Sequence, residues 1–168
     1  MGFPRKLKQM ALFIDGRWVD ETASVTLPKL TRKLEEYRGG GMGRPVKTDM
    51  GGEALEAEFT CAGVVRDVLR GYGASIAGVA LRFAGSYEND DTGEITSVEV
   101  VLRGRYEEID MGEAKPGEDT ELKAKMAVAY YKLVWNGRTE IEIDPINGIE
   151  FVDGVDLMAP HRAAIGLA

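Results

Sequence analysis

Residues 41–48 read Gly-Met-Gly-Arg-Pro-Val-Lys-Thr, one residue away from the phosphate-cradling pattern G-x-x-x-x-G-K-[ST]. Val46 stands where the glycine before Lys47 belongs, and Pro45 lacks a backbone N–H that such an anion nest uses. The preceding Thr-Arg-Lys-Leu-Glu-Glu-Tyr-Arg is not the buried apolar strand that leads into these loops. The segment is therefore read as a glycine-rich turn between strands. Glu88 to Glu99 mimics a calcium loop, with acids at Glu88 and Asp90 and a central Gly93, but its flanks alternate as strands where the motif needs helices. Glu140, Glu142 and Asp144 could supply a carboxylate pair, although three acids on one strand face are usually just a solvated face. His161 is the only histidine and Cys61 the only cysteine. Neither has a nameable partner for nucleophilic or metal chemistry. The residues point to no catalytic group, no metal site and no cofactor.

These segments sit in a chain of 168 residues, long enough for one domain with a real core. A formal net charge of −7 disfavours nucleic-acid affinity, because an acidic surface gains nothing from counterion release. The run Arg5-Lys6-Leu7-Lys8 is too short to reverse this. A lone cysteine excludes an internal disulfide. The apolar run Met10 to Ile14 is too short for a signal peptide or a membrane span. Synthesis in a reducing cytoplasm is expected.

Period-2 patterning dominates. Between Val98 and Ile109, Val98, Val100, Leu102 and Tyr106 alternate with Glu99, Arg103, Arg105 and Glu107. From Glu121 to Trp135, Glu121, Lys123 and Lys125 alternate with Leu122, Ala124, Met126 and Val128. Asn136-Gly137 is a strong hairpin-turn dipeptide, and Thr139 to Asp144 then returns as a third strand of a meander. Leu55, Ala57 and Phe59 alternate with Glu56 and Glu58. Further strands are predicted over 11–19, 23–30, 78–87 and 94–101, with turns at Asp15-Gly16 and Asp91-Thr92-Gly93. Helical spacing occurs at Val64, Val65, Val68, Leu69 and Tyr72, predicting a helix over about 63–72 that ends at Gly71 or Gly73. A second, short helix is predicted from Asp156 to Ile165, capped by Asp156 with Pro160 in its first turn. Strands of a dozen residues exceed the usual five or six, and their open edges demand partners. The patterning alone supports an oligomeric, mostly β domain.

Specific segments carry a resemblance: Leu-Phe-Ile-Asp-Gly at 12–16, Ser-Val-Thr-Leu-Pro-Lys-Leu at 24–30, Glu-Tyr-Arg-Gly-Gly-Gly-Met at 36–42 and Pro-Val-Lys-Thr-Asp-Met-Gly at 45–51. Others are residues 102–118, Tyr-Tyr-Lys-Leu at 130–133, Glu-Ile-Asp-Pro-Ile-Asn-Gly at 142–148, Asp-Gly-Val-Asp at 153–156 and the closing His-Arg-Ala-Ala-Ile-Gly-Leu. Nearly end to end, the chain resembles the major tail tube protein family of contractile-tailed bacteriophages and the related tube of R-type phage-tail-like bacteriocins.

The resemblance implies a single domain over 1–168, an antiparallel β-sandwich or half-open barrel with one flanking α-helix and a C-terminal extension over about 149–168. Hexameric rings would close a central β-barrel channel and stack into a hollow tube inside a sheath. A long hairpin over about 30–59 would reach the neighbouring ring, with Gly39, Gly40, Gly41, Met42 and Gly43 as its tip. Glu56, Glu58, Glu99, Arg103, Arg105, Glu107, Glu121, Lys123 and Lys125 are the candidates to face the lumen. Implied partners are further copies of the chain, a tail sheath protein, a tape measure protein, a baseplate hub, a tail terminator and DNA in transit without specific binding, with no stable membrane binding. The expected location is the virion tail or bacteriocin particle, assembled in the host cytoplasm. The alternatives are a type VI secretion-type tube protein and a monomeric ligand-binding β-barrel.

Overall fold

A computed structural model describes residues 2–167, which form twelve strands and two short helices. The strands are β1 (Arg5–Ile14), β2 (Arg17–Trp18), β3 (Thr22–Thr26), β4 (Arg32–Tyr37), β5 (Val46–Gly52), β6 (Leu55–Cys61), β7 (Val79–Asn89), β8 (Ile95–Asp110), β9 (Leu122–Trp135), β10 (Arg138–Asp144), β11 (Ile149–Val152) and β12 (Val155–Asp156). The helices are α1 (Arg66–Leu69) and α2 (Ala159–Ala164). None of the described helices is long and apolar enough to cross a membrane.

The long antiparallel pair β8–β9 is the spine. Its register runs from Val98 opposite Trp135 to Asp110 opposite Lys123. One end of the pair carries β7, β1 and β2 beside β8, and β10, β11 and β12 beside β9. At the other end β9 exchanges β10 for β6, which pairs with β9 from Leu55–Val128 to Cys61–Leu122 and carries β3 on its far side. Two sheets thus share one pair of strands, and the apolar faces of both close on a common core. Phe59, Leu12, Leu81, Leu102, Leu122 and Met126 are all buried there. Each such side chain contributes about 1.5–3 kcal/mol by leaving water. Within one chain the sheet stays open and no barrel closes.

The turns follow the sequence closely. Asp15-Gly16, Asn136-Gly137 and Asp153-Gly154 all have both residues at positive φ, near 50° and 80°. This geometry matches the right-handed twist of two-residue hairpins and needs glycine at the second position. The calcium-like stretch is a plain hairpin turn: the Asn89 side chain accepts N–H bonds from Asp91 and Thr92, and Gly93 turns at φ 72°.

Three expectations need correction. The predicted helix over 63–72 shrinks to one turn, Arg66–Leu69. The chain must leave the helix where Gly71 lies against the Tyr106 ring, since a Cβ there would come within 2.6 Å of Cε2. Asp156 is not the cap of α2, which begins after Met158 and has Pro160 in its first turn. Its carboxylate accepts the Met158 N–H and pairs with Arg162 at 2.6 Å, bracing the entry to the helix. The strand predicted over 23–30 ends at Thr26, just ahead of Pro28, whose fixed φ and missing N–H do not suit a ladder. The C-terminal segment also does more than extend the domain, because β11 adds to the main sheet beside β10.

Gly104 marks the tightest contact in the spine. A Cβ there would lie 2.0 Å from the Ala127 carbonyl oxygen, at the bulge where β8 and β9 change neighbours. Gly104→Ala is expected to destabilise the fold by about 3 kcal/mol or more, read as a lower urea midpoint with unchanged slope. An unshifted midpoint would show that the spine tolerates a side chain at this crossing.

Candidate assembly surface

Strands β3, β6, β9 and the C-terminal half of β8 form a four-stranded sheet whose inner face belongs to the core and whose outer face is charged. Alternation is strict in β6: Leu55, Ala57, Phe59 and Cys61 are buried while Glu56 and Glu58 are exposed. Glu58 stands opposite Lys125, and Thr60 opposite Lys123. Across β9, Arg105 stands opposite Ala127, Glu108 opposite Lys125 and Asp110 opposite Lys123. The Lys125 ammonium lies 3.8 Å from Glu56 and 3.9 Å from Glu107, loose surface pairs of small individual worth. A shallow depression lined by Glu58, Glu108, Asp110, Lys123 and Lys125 sits at the centre of this face.

Six of the nine residues singled out as channel-facing therefore share one surface: Glu56, Glu58, Arg105, Glu107, Lys123 and Lys125. Glu121 lies one residue ahead of β9, at the rim of the same face. Glu99 and Arg103 lie on the other half of the spine, where Glu99 pairs with Arg82 and Arg103 covers the Tyr130 ring. Strict alternation missed Glu108 and Asp110. A bulge between Tyr106 and Glu108 inserts Glu107 as an extra residue, so the positions after it change faces. A similar bulge between Thr139 and Ile141 breaks the row of acids in β10 and turns Glu140 towards Arg138, 4.0 Å away. Among the described residues no acid or histidine cluster could hold a metal ion. Cys61 is wholly buried, and burial pushes its thiol up from the ordinary range. Tyr106, also buried, packs edge to face on Phe59, and loss of water pushes its phenol far up, so it stays neutral.

The second feature is the hairpin β4–β5, which pairs only with itself. Every residue of β4 and all but Gly51 of β5 are exposed. At its base Glu53 donates its N–H to the Thr31 carbonyl, and Arg32 reaches both Asp49 at 2.8 Å and Glu150 of β11 at 2.5 Å. The hydrogen bond from Arg32 holds the Asp49 carboxyl below the usual range, helped by the Gly51 N–H. At the tip the Met42 N–H bonds back to the Gly39 carbonyl, and the Gly39 N–H points at the Met42 sulfur. None of Gly39, Gly40, Gly41 and Gly43 adopts a left-handed φ, so conformational need does not explain these glycines. Cβ atoms at Gly40, Gly41 and Gly43 would meet nothing within 4 Å.

With this geometry the comparisons with known proteins are consistent. The family model of the phage tail tube protein FII matches residues 4–166. The chain is 50% identical, over an alignment 172 positions long, to the tail tube protein of Escherichia phage P2, covering 99% of this chain and 100% of that protein. It is 42% identical to the major tail tube protein of Serratia phage KSP20, covering 99% of both. Among solved structures, the tube-terminating cap of the anti-feeding prophage superposes with a TM-score of 0.59 at 12% identity, over 80% of this chain and 93% of that one. A chain of the sheath–tube complex of an extracellular contractile injection system, PVC, in its extended state gives 0.58 at 10% identity, over 79% and 92%. At so low an identity these two show a shared fold.

The base of the hairpin makes a pH-dependent clasp. A depressed carboxyl stabilises the folded form above the ordinary carboxylate range, and the effect is lost only as pH falls through the lowered value. Amide protection factors across residues 32–52, taken relative to the intrinsic exchange rate at each pH, are therefore expected to hold near neutral pH and to drop only as the pH falls below the ordinary carboxylate range. Asp49→Asn is expected to produce the same loosening at neutral pH. Unaltered protection in that variant would show that Arg32 does not hold the hairpin through Asp49.

Proposed function

Because this chain belongs to the phage tail tube protein FII family, we propose that it is the repeating subunit of a hollow tail tube, in which six copies close each ring and rings stack end to end. The observation that carries the reading is the pair of open edges on the four-stranded sheet. Among the described residues no strand lies beside the outer edge of β3 or the edge of β8 beyond Gly104. With two strands, β6 and β9, between them and every pairing antiparallel, these two edge strands run in opposite directions. A rotated copy therefore presents β3 antiparallel to the β8 edge, and every junction around a ring satisfies the same pairing. Closure removes both edges, the standard remedy for unpaired strand backbone. Six four-stranded sheets at about 4.8 Å per strand, tilted by about 40°, enclose a barrel on the order of 48 Å across the strand axes.

The charged outer face then lines the channel. Five carboxylates, Glu56, Glu58, Glu107, Glu108 and Asp110, face three cations, Arg105, Lys123 and Lys125. A net acidic wall with its lysines already among carboxylates gives DNA phosphates little to hold, which suits passage without binding. In this reading the tube lies within a contractile sheath and meets a tape measure protein, a baseplate hub and a terminator in the virion tail. Solved structures that share the fold are described as a sheath–tube complex and a tube-terminating cap, which supports partners of this kind. The hairpin β4–β5 projects to the adjoining ring. Its glycines keep the tip slim at positions where the subunit itself imposes no such limit.

Two outcomes are expected. In the double variant Ser24→Cys/Glu108→Cys, both exposed on the open edges, a short bismaleimide is expected to give a ladder ending at six linked chains, with the buried Cys61 silent. A product that stops at the monomer would refute ring closure through these edges. Replacing Gly39, Gly40 and Gly41 together by valine is expected to leave the circular dichroism spectrum near normal while electron micrographs show isolated rings. Tubes of full length from that variant would remove the hairpin tip from the ring–ring contact.

A further inference from the structure

The chain has three asparagines, and two of them precede a glycine: Asn136-Gly137 and Asn147-Gly148. In such a pair the glycine nitrogen reaches the asparagine side-chain carbonyl carbon readily, because no Cβ crowds the approach. Asn89 precedes Asp90, which does carry a Cβ. Its side chain is also tied on both sides, accepting from the Asp91 and Thr92 N–H groups and donating to the Phe3 carbonyl.

The fold treats the two Asn-Gly pairs differently. Asn136 sits in the turn between β9 and β10 at φ 48° and is fastened twice to Ser97 of β8. Its N–H donates to the Ser97 carbonyl at 2.8 Å, and its Oδ1 accepts the Ser97 N–H at 2.8 Å. The carbon that would be attacked is therefore held towards another strand. Asn147 is exposed in the turn between β10 and β11. Among the described residues its side chain has one partner, Asp144, whose Oδ2 accepts from Nδ2 at 2.7 Å. Asp144 lies three residues away at the start of the same turn, so no other element restrains the amide. The Gly148 nitrogen makes only a long bond of 3.3 Å to the Pro145 carbonyl, which leaves it easily freed.

We propose that Asn147-Gly148 is a site of spontaneous covalent modification by water, at which the turn deamidates and loosens the hold of the sheet on α2. The Gly148 nitrogen bonds to Cγ of Asn147 and the Cγ–Nδ2 bond breaks. The proton leaving Gly148 passes to the departing nitrogen, which is released as ammonia. Water then opens the five-membered imide at either carbonyl, leaving aspartate or isoaspartate. Arg162 of α2 carries the effect, since it donates to the Gly148 carbonyl at 2.8 Å and pairs with Asp156 at 2.6 Å. Isoaspartate routes the backbone through the former side chain, adds one carbon ahead of Gly148 and moves that carbonyl off Arg162. Aspartate replaces the amide that donated to Asp144 by a second carboxylate, and the two repel.

The test holds the full-length protein at mildly alkaline pH for weeks and follows it by peptide mass mapping. The amide-to-acid mass change is expected at Asn147 about tenfold faster or more than at Asn136, which must first give up two hydrogen bonds. Asn147→Gln, whose longer side chain must close a six-membered ring, is expected to lack the change there while keeping the parent circular dichroism spectrum. Equal rates at the two sites, a faster change at Asn136 or an Asn147 that stays intact would each overturn the proposal. In a second arm, amide exchange over residues 158–165 is compared between the fresh protein and the fraction carrying isoaspartate. Faster exchange is expected in that fraction. Full retention of protection there would overturn the coupling of the turn to α2.

Discussion

The continuous pairing of β8 with β9 is the constraint on which the rest of the structure depends. Both strands are more than twice the usual length, and neither half of the molecule has a core without them. One half of the pair supports the large sheet through β7 and β10, and the other supports β6 and β3. Where the support changes, Gly104 lets the Ala127 carbonyl approach to a distance that no side chain permits. The bulges at that crossing bend the strands so that one pair serves two sheets. Sharing a spine couples the charged face to the core: a register slip in β9 would bury Lys123 and Lys125 and expose Leu122, Ala124 and Met126 together.

The same arrangement leaves needs that one chain cannot meet. Closing the core uses the inner faces of both sheets but provides, among the described residues, no neighbour for the outer edge of β3 or the far end of β8. The hairpin β4–β5 stands on an ion-paired base, beside an open apolar groove walled in part by Leu30, Ile76 and Ile146. Unpaired strand backbone, an uncovered hairpin and an open apolar groove are each unfavourable in water, and each is of a kind that another copy relieves. The proposed assembly answers what the subunit leaves unsatisfied. The only cysteine is sealed in the core and the acids of β10 are split by a bulge.

Alternation and turn chemistry read from the sequence alone placed β6, β8, β9 and β10 and the turns at Asp15-Gly16 and Asn136-Gly137, because burial on one face forces period 2 and a two-residue hairpin turn forces glycine. The lone basic and acidic residues of these strands were assigned to the outer face on the same ground, correctly up to Tyr106. Beyond it the sequence carries a run of acids, Glu107, Glu108 and Asp110, in which alternation holds no information about where an extra residue enters. The helix over 63–72 was overdrawn for a related reason. Its spacing is genuinely helical, but its length is decided by a ring from β8 that occupies the space beside Gly71.

What the sequence determined by itself is local and periodic: a mostly β chain, its apolar and charged faces and its tight turns. These follow from each residue's own preferences and from its nearest neighbours along the chain. Only the tertiary structure decided which strands share neighbours, where the bulges move Glu108 and Asp110 onto the charged face and which edges stay open. Those features depend on contacts between residues far apart in sequence, such as Gly104 with Ala127 or Arg32 with Glu150. No window of neighbouring residues contains both partners, so the pattern along the chain could not report them.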